Sequence, residues 1–303
     1  MATAKKTPSG KWRVLAYVGK NVTKSGYKSF TADTKKEAER LAASFAPPEP
    51  GKEEADITVG QAIDRFIEAR SAVLSPSTLR GYFTIRRTRF PSLMPIPVSR
   101  LTPQQVQDAV NIEVAAGVSP KTIRNAHGLL TAILADWRPD IHLKTVMPQR
   151  QKPDIKIPTE EEINQLIKAA DPEMQAAILI AAQMGLRRGE ICALTAEDCD
   201  LERNLLKINK AMVYTPENNW KIKPPKSDAG YRTLEMTAGV RQLLMELRGT
   251  GRIISINPSM LTAHFNKLQM SCFGQIKYRF HDLRHYNASV MLSLGVPNRY
   301  AME

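Results

Sequence analysis

Gly185-Leu186-Arg187-Arg188-Gly189-Glu190 separates a nearly apolar run, Met174 to Met184, from a second apolar segment, Ile191 to Leu194. A run that is apolar on every side predicts a buried helix, and the segment after Glu190 reads as the start of another. Arg187 is therefore expected at or near a helix N-terminus, where unsatisfied N–H groups and the helix dipole favour an anion. Its planar guanidinium presents two donors in the geometry of two phosphate oxygens. Glu190, three residues on, is close enough to hold that side chain. The hexapeptide alone is a weak signal, because arginines at helix starts are common surface cations.

Two segments further along add weight. Lys226 stands in Lys221-Ile222-Lys223-Pro224-Pro225-Lys226-Ser227-Asp228-Ala229-Gly230. Strands are expected at Leu205-Leu206-Lys207-Ile208 and Val213-Tyr214, with Tyr231-Arg232-Thr233-Leu234 as their partner, so Lys226 reads as the tip of a mobile hairpin. A lysine there can donate a proton to a leaving oxygen. His281-Asp282-Leu283-Arg284 places a histidine and an arginine three apart, on one face of a helix, with His285 off that face. Imidazole can move protons near neutral pH. Further helices are expected over 239–247, 259–270 and 283–294. Another starts at the capping box Thr159-Glu160-Glu161-Glu162 and stops at Asp171-Pro172.

Towards the N-terminus the texture changes twice. Arg138 to Ile157 carries prolines and Arg150-Gln151-Lys152-Pro153, and residues 146–157 read as a linker. Residues 58–145 read as a compact four-helix bundle, with starts at Thr58, Ser77, Thr102-Pro103 and Ser119-Pro120. The second of these helices has Leu79, Tyr82, Phe83 and Ile85 on one side and Arg80, Arg86, Arg87 and Arg89 on the other. Pro47-Pro48-Glu49-Pro50-Gly51, within 47–57, cannot continue a helix and marks another linker. Residues 1–46 hold ten Lys and Arg against three acidic residues. Alternation from Trp12 to Val18 and the run Tyr27 to Thr31 predict strands. Thr34-Lys35-Lys36-Glu37 caps a helix through Ala38, Leu41, Ala42 and Phe45. The fold class is therefore multidomain and mainly α with small β-sheets: an N-terminal sheet with one helix, a helical bundle, and a mixed α+β domain over 158–303.

The chain has 303 residues and a net charge of +13, which favours a polyanion as partner, nucleic acid before membrane. No apolar run reaches the roughly 20 residues that span a bilayer. Cys192, Cys199 and Cys272 are few and far apart, against a zinc site or disulfide framework and in keeping with a reducing, cytoplasmic setting. RNA recognition is disfavoured by the scarcity of N-terminal aromatics.

The order Gly-Leu-Arg-x-Gly-Glu, then Lys-Ser, then His-Asp-Leu-Arg-His is far more specific than its parts, and it resembles the tyrosine recombinase, or phage integrase, family along essentially the whole chain. The resemblance implies an arm-type DNA-binding domain at 1–46, a core-binding helical domain at 58–145 and a catalytic domain at 158–303. It implies site-specific recombination and integration by cleavage and rejoining of double-stranded DNA through a 3′-phosphotyrosine, with no metal or other cofactor. Carried over, Arg187 and Arg284 are phosphate clamps, Lys226 and His281 transfer protons, and Glu190 supports the site. Lys5, Lys6, Lys11, Arg13, Lys28, Arg80, Arg86, Arg87, Lys121 and Arg124 are the expected DNA contacts, and the full-length protein is expected to assemble as a tetramer on DNA.

One element of the pattern is missing. The family places a His or Trp and then the nucleophilic Tyr a few tens of residues after His-x-x-Arg, whereas 19 residues follow Arg284. Tyr286 lies inside the same helix, and Tyr300 falls in the turn that precedes the expected segment. The expectation is a chain truncated before its nucleophile, which binds DNA without cutting it. The competing readings are a non-catalytic DNA-binding regulator with the same fold and, less well matched, a type IB topoisomerase.

Overall fold

The structure, a computed structural model, describes residues 4–17, 27–44, 57–150, 155–225, 230–247 and 251–297. Its contacts divide the chain into two compact units. One holds residues 1–66 and 90–147; the other holds 67–89 and 148–303.

In the first unit, β1 (Lys5–Lys6), β2 (Trp12–Tyr17) and β3 (Tyr27–Ala32) form an antiparallel sheet in that order, followed by α1 (Lys35–Ser44). Alternation does what it should: Val14 is buried while Arg13 and Leu15 face out. Val14 meets Ala4 and the fully buried Ala38 of α1, with Trp12, Ala32 and Ala42 around them. Lys5-Lys6 is a paired strand and not a loose arm. Gly10, at φ 80°, and the bonds Thr7 N–H to Lys11 O (2.7 Å) and Gly10 N–H to Thr7 O (3.0 Å) fold it back onto β2. The register sets Lys5 opposite Arg13. The expected linker at 47–57 lies, but for Ile57, outside the described residues.

The helical part of this unit comprises most of α2 (Val59–Arg70), then α4 (Pro103–Ala115) and α5 (Pro120–Trp137). Reciprocal boxes close two N-termini, Thr58 with Gln61 and Thr102 with Gln105. Ile63 and Phe66 of α2, Val106 and Val110 of α4 and Ile123, Leu130 and Ile133 of α5 are buried. Of the four helices expected in the bundle, three lie wholly or mostly in this unit. The remaining one, α3 (Pro76–Thr88), has no buried residue and belongs to the second unit. Its apolar side is too shallow for a bundle core, since Phe83 stays exposed. The expected linker at 146–157 is partly tied down: Gln107 accepts from Val146 N–H (2.8 Å) and donates to its carbonyl (3.2 Å).

The second unit is built around α7 (Pro172–Met184), whose Ala, Ile and Met side chains are almost all buried. Against it lie α6 (Glu160–Ala169), α9 (Ala238–Glu246), α10 (Pro258–Phe273) and α11 (Asp282–Ser293), with the one-turn α8 (Arg188–Ile191) following α7. Two small antiparallel sheets complete it: β4 (Cys199–Asp200), β5 (Leu205–Ile208) and β8 (Arg232–Glu235) in one, β6 (Ala211–Tyr214) and β7 (Trp220–Lys223) in the other. This corrects the hairpin expected around Lys226. The hairpin is β6–β7, turning at Asn218 with φ 58°. β8 pairs with β5 instead, so residues 224–231 connect two different sheets. The connection is narrow at its ends: a side chain at Gly230 would meet Pro225 Cβ at 2.3 Å.

Candidate active site

The site begins where α7 stops. Gly185 caps that helix in the left-handed region, φ 66°, a conformation open to glycine at little cost. A Cβ there would lie 2.6 Å from Asn287 Oδ1 of α11, so the position is closed for a second reason. Asn287 itself donates to Gln183 O at 2.9 Å, and Arg284 of the same helix donates through Nη1 to Gly185 O. The end of α7 and the face of α11 are thereby stitched together, 99 residues apart in sequence. Gly189 is needed for another close approach, since a Cβ would sit 2.7 Å from Met212 O of β6.

Leu186 is buried in the core and turns Arg187 outward. Arg187 is the N-cap of α8 in extended conformation, as expected, but α8 is a single turn, and Arg187 N–H is taken by Glu190 Oε2 at 2.9 Å. The anion-binding power of this corner therefore resides in side chains and not in a helix terminus. Glu190 Oε1 accepts from Arg187 Nη1 at 2.9 Å. Half of the Arg187 side chain remains exposed, whereas that of Glu190 is 7% exposed.

A residue not expected at the site completes this carboxylate's shell. Arg232, on β8, donates Nη2 to Glu190 Oε2 at 2.8 Å and Nη1 to Oε1 at 3.3 Å. Burial opposes the charge on Glu190, but Arg232 and the Arg187 N–H outweigh it and hold its pKa below the ordinary carboxylate value. The sequence held one sign of this. In β8, Arg232 shares its face with the half-buried Leu234, while Thr233 and Glu235 are exposed. An arginine on the inward face of a strand needs an acid.

Arg284 is half-buried, and burial followed by repulsion from Arg187 and Arg232 pulls its pKa below the usual arginine value. The guanidinium still stays charged at neutral pH. The structure thus brings Arg187, Glu190, Arg232 and Arg284 together from three segments. His281 is the N-cap of α11, one turn before Arg284. Its ring meets that of His285 edge-on, with centroids 5.0 Å apart. The expectation that His285 lies off this face is corrected in that respect: residues four apart share a helix face. His281 is exposed overall, but the desolvation of its ring, with His285 and Arg284 nearby, lowers its pKa and favours neutral imidazole at pH 7. Lys226 and Tyr300 lie outside the described residues. Tyr286 packs against the core, and burial together with Glu160 and Glu161 raises its pKa.

The segment that delivers His281 is braced from below. Gln269, fully buried on α10, accepts from Lys277 N–H (3.1 Å) and Tyr278 N–H (2.9 Å) and donates to Tyr278 O (2.9 Å). Tyr278 Oη donates to Glu162 Oε2 at 2.5 Å, and Lys277 Nζ to Oε1 at 2.9 Å. Asp282, also buried, holds Arg279 through a bidentate pair. Neither Gln269 nor Glu162 carries a local motif that marks this role.

The expected DNA contacts are spread over both units. Lys5, Lys6, Arg13 and Lys28 are exposed on the N-terminal sheet, and Lys28 lies 5.8 Å from the Phe30 ring centroid. Lys11 faces Asp33 at 3.4 Å. Arg87 and Lys121 are exposed, and Arg86 and Arg124 are half-buried. Arg80 lies over the Tyr214 ring, 4.5 Å from its centroid, so its cation already has an aromatic partner.

Residues 156–303 match the phage integrase family and belong to it. The chain is 31% identical over 156 residues to a putative prophage phiRv2 integrase of Mycobacterium tuberculosis, covering 46% of this chain and 41% of that protein. It is 28% identical over 138 residues to prophage integrase IntR of Escherichia coli, covering 43% of this chain and 32% of the relative. The matches thus span well under half the length of these relatives. Among solved structures, the Tn1549 transposon integrase in complex with transposon right end DNA superposes with a TM-score of 0.67 at 19% identity, covering 81% of this chain and 90% of that one. A lambda integrase tetramer bound to a Holliday junction covers 99% of this chain and 93% of its own, with a TM-score of 0.59 at 15% identity. These two share the fold.

Proposed function

We propose that the chain binds double-stranded DNA and holds one phosphodiester for site-specific strand cleavage and rejoining. The observation that carries this reading is the convergence of Arg187 and Arg284 at the α7–α11 seam, with Glu190 fixing the Arg187 fork. In phosphoryl transfer the protein's work is chiefly positioning and charge stabilisation. Arg187 and Arg284 clamp the non-bridging oxygens, and Glu190 orients Arg187. Lys226 protonates the leaving 5′ oxygen, and His281 transfers a proton. The strand is held as a 3′-phosphotyrosine in such a reaction, which conserves bond energy for rejoining without ATP. Residues 1–46 take one DNA segment and 58–145 another, through Lys5, Lys6, Lys11, Arg13, Lys28, Arg80, Arg86, Arg87, Lys121 and Arg124, with assembly of several copies on DNA. Lys5 opposite Arg13 supports a polyanionic partner, because like charges directly across a ladder repel unless an anion lies between them. No residue of the 303 is assigned as nucleophile, so this polypeptide is proposed to bind without forming a covalent adduct.

Two measurements test the reading. Fluorescence anisotropy of a labelled duplex over a salt series gives the phosphate contacts; Arg284→Ala should weaken binding and lower the salt slope by about one. An unchanged slope removes Arg284 from the phosphate. Incubation with a nicked suicide duplex followed by a denaturing gel should give no protein–DNA band. A band would overturn the claim of binding without cleavage and show that a residue of this chain acts as nucleophile.

A further inference from the structure

Glu190 has a balance of charge around it that the clamp alone does not explain. Its two oxygens receive four donors: Arg187 N and Nη1, and Arg232 Nη1 and Nη2. The two arginines differ in setting. Arg187 is half exposed at the mouth, whereas Arg232 is 15% exposed, behind the carboxylate. Arg232 therefore faces Glu190 and not an incoming ligand. A nearly buried carboxylate needs a cation. If Arg187 alone filled that role, its charge would be spent on Glu190. With Arg232 present, two guanidinium groups stand against this one carboxylate, a net of one positive charge. A phosphodiester carries one negative charge, and a second builds up as it is attacked.

We propose that Arg232 is a positioning residue of the phosphate clamp: it neutralises Glu190 from behind, so that Glu190 can orient Arg187 without cancelling Arg187's charge towards the phosphate. This rests on the reading of Arg187 and Arg284 as the clamp. Arg232 touches neither substrate nor reacting atoms. It acts through Glu190, and its charge counts for more than its shape.

Orthovanadate, a phosphate analogue that accepts a fifth ligand, is the probe, its binding to the full chain followed by vanadium NMR. Arg232→Gln should weaken vanadate on the order of tenfold, the effect of one charge several ångströms away in a partly screened site. Arg232→Lys should stay within about threefold of the native chain, because the charge remains. The decisive variant is Arg232→Gln combined with Glu190→Gln, which removes one charge of each sign and restores the total. It should recover most of the lost affinity. A merely structural role predicts the opposite, with the pair as weak as Arg232→Gln or weaker, and that result overturns the proposal. So does an Arg232→Gln chain that binds as the native one does. Arg187→Gln separates the two levels. If it too leaves vanadate binding unchanged, or if the native chain does not bind the probe, the clamp itself falls and Arg232's role with it.

Discussion

The two glycines of Gly185-Leu186-Arg187-Arg188-Gly189-Glu190 show how much a single residue decides here. Gly185 meets two constraints at once, a left-handed backbone and the Asn287 Oδ1 contact. Gly185→Ala should therefore destabilise by roughly 1–3 kcal/mol, the combined range for backbone strain and overpacking, measurable as a lower urea midpoint at unchanged slope. The two constraints are separable. With Asn287→Ala in place the contact is relieved while the φ penalty stays, so the second substitution should cost measurably less than it does alone. Strict additivity would mean that Asn287 yields freely and that the contact is not a constraint. At Gly189 the obstacle is a backbone oxygen, Met212 O, which cannot rotate aside. That Arg187, Glu190 and Arg284 belong to one site was legible from their order along the chain. The need for glycine at these positions was not, because it is set by residues as distant in sequence as Asn287 is from Gly185. Arg232 was half legible: its strand was expected, and its inward side follows from alternation, but its carboxylate partner is fixed only by tertiary pairing.

Elements were read well where a cap and a periodic stripe coincided, as at Thr102-Pro103 and Thr159, whereas Asp171-Pro172, read only as a stop, also caps α7. They were misread where the pattern was short. The strand β7 is four residues long, and its turn, Thr215 to Asn219, was passed over, so the partner of β6 was sought in β8. The least legible arrangement is the brace under His281, in which the N-terminal box of α6 doubles as an anchor for Lys277 and Tyr278. Burial works against the Glu162 charge, but Thr159 N–H, Tyr278 and Lys277 prevail and bring its pKa from 4.5 down to about 2. A depressed acid stabilises fully above its unfolded value and loses that contribution as pH falls from 4.5 towards 2. Glu162→Gln should therefore flatten part of the acid-side loss of stability, leaving the share owed to Glu190, Asp198 and Asp282, whose pKa values are also lowered. On the alkaline side, burial and then Glu162 push Tyr278 from 10.0 to about 12. That contribution is complete below pH 10 and is lost as pH rises towards 12, and Tyr278→Phe should remove this dependence. Urea midpoints from pH 2 to 12 read both limbs. An acid limb identical in the native and Glu162→Gln proteins would show that the brace does not depend on the carboxylate's charge.

Across the whole molecule, the sequence pattern set boundaries near residues 58 and 158 and kept α3 with its sequence neighbours, whereas contacts group residues 1–66 with 90–147 and place α3 with 148–303. Assignment to a compact unit depends on what a helix buries, and α3 buries nothing fully; Arg80 instead rests on Tyr214. Net charge, by contrast, is legible without any fold, and it carries the last prediction. Five of the proposed DNA contacts lie on the N-terminal sheet, and one of them, Lys11, faces Asp33 at 3.4 Å. The other four, Lys5, Lys6, Arg13 and Lys28, are exposed on two-stranded pairings that bring cation against cation at Lys5 and Arg13. If each neutralises one phosphate, replacing all four by Gln in the full chain should lower the salt slope of duplex binding by about 3–4. Arg87→Gln with Lys121→Gln should lower it by about 2 on the same basis. Because the two groups are proposed to grip different DNA segments, the combined variant should show the sum. A slope that the sheet substitutions leave unchanged would assign the basic N-terminal module to another partner. A combined loss well short of the sum would mean that both groups compete for the same phosphates.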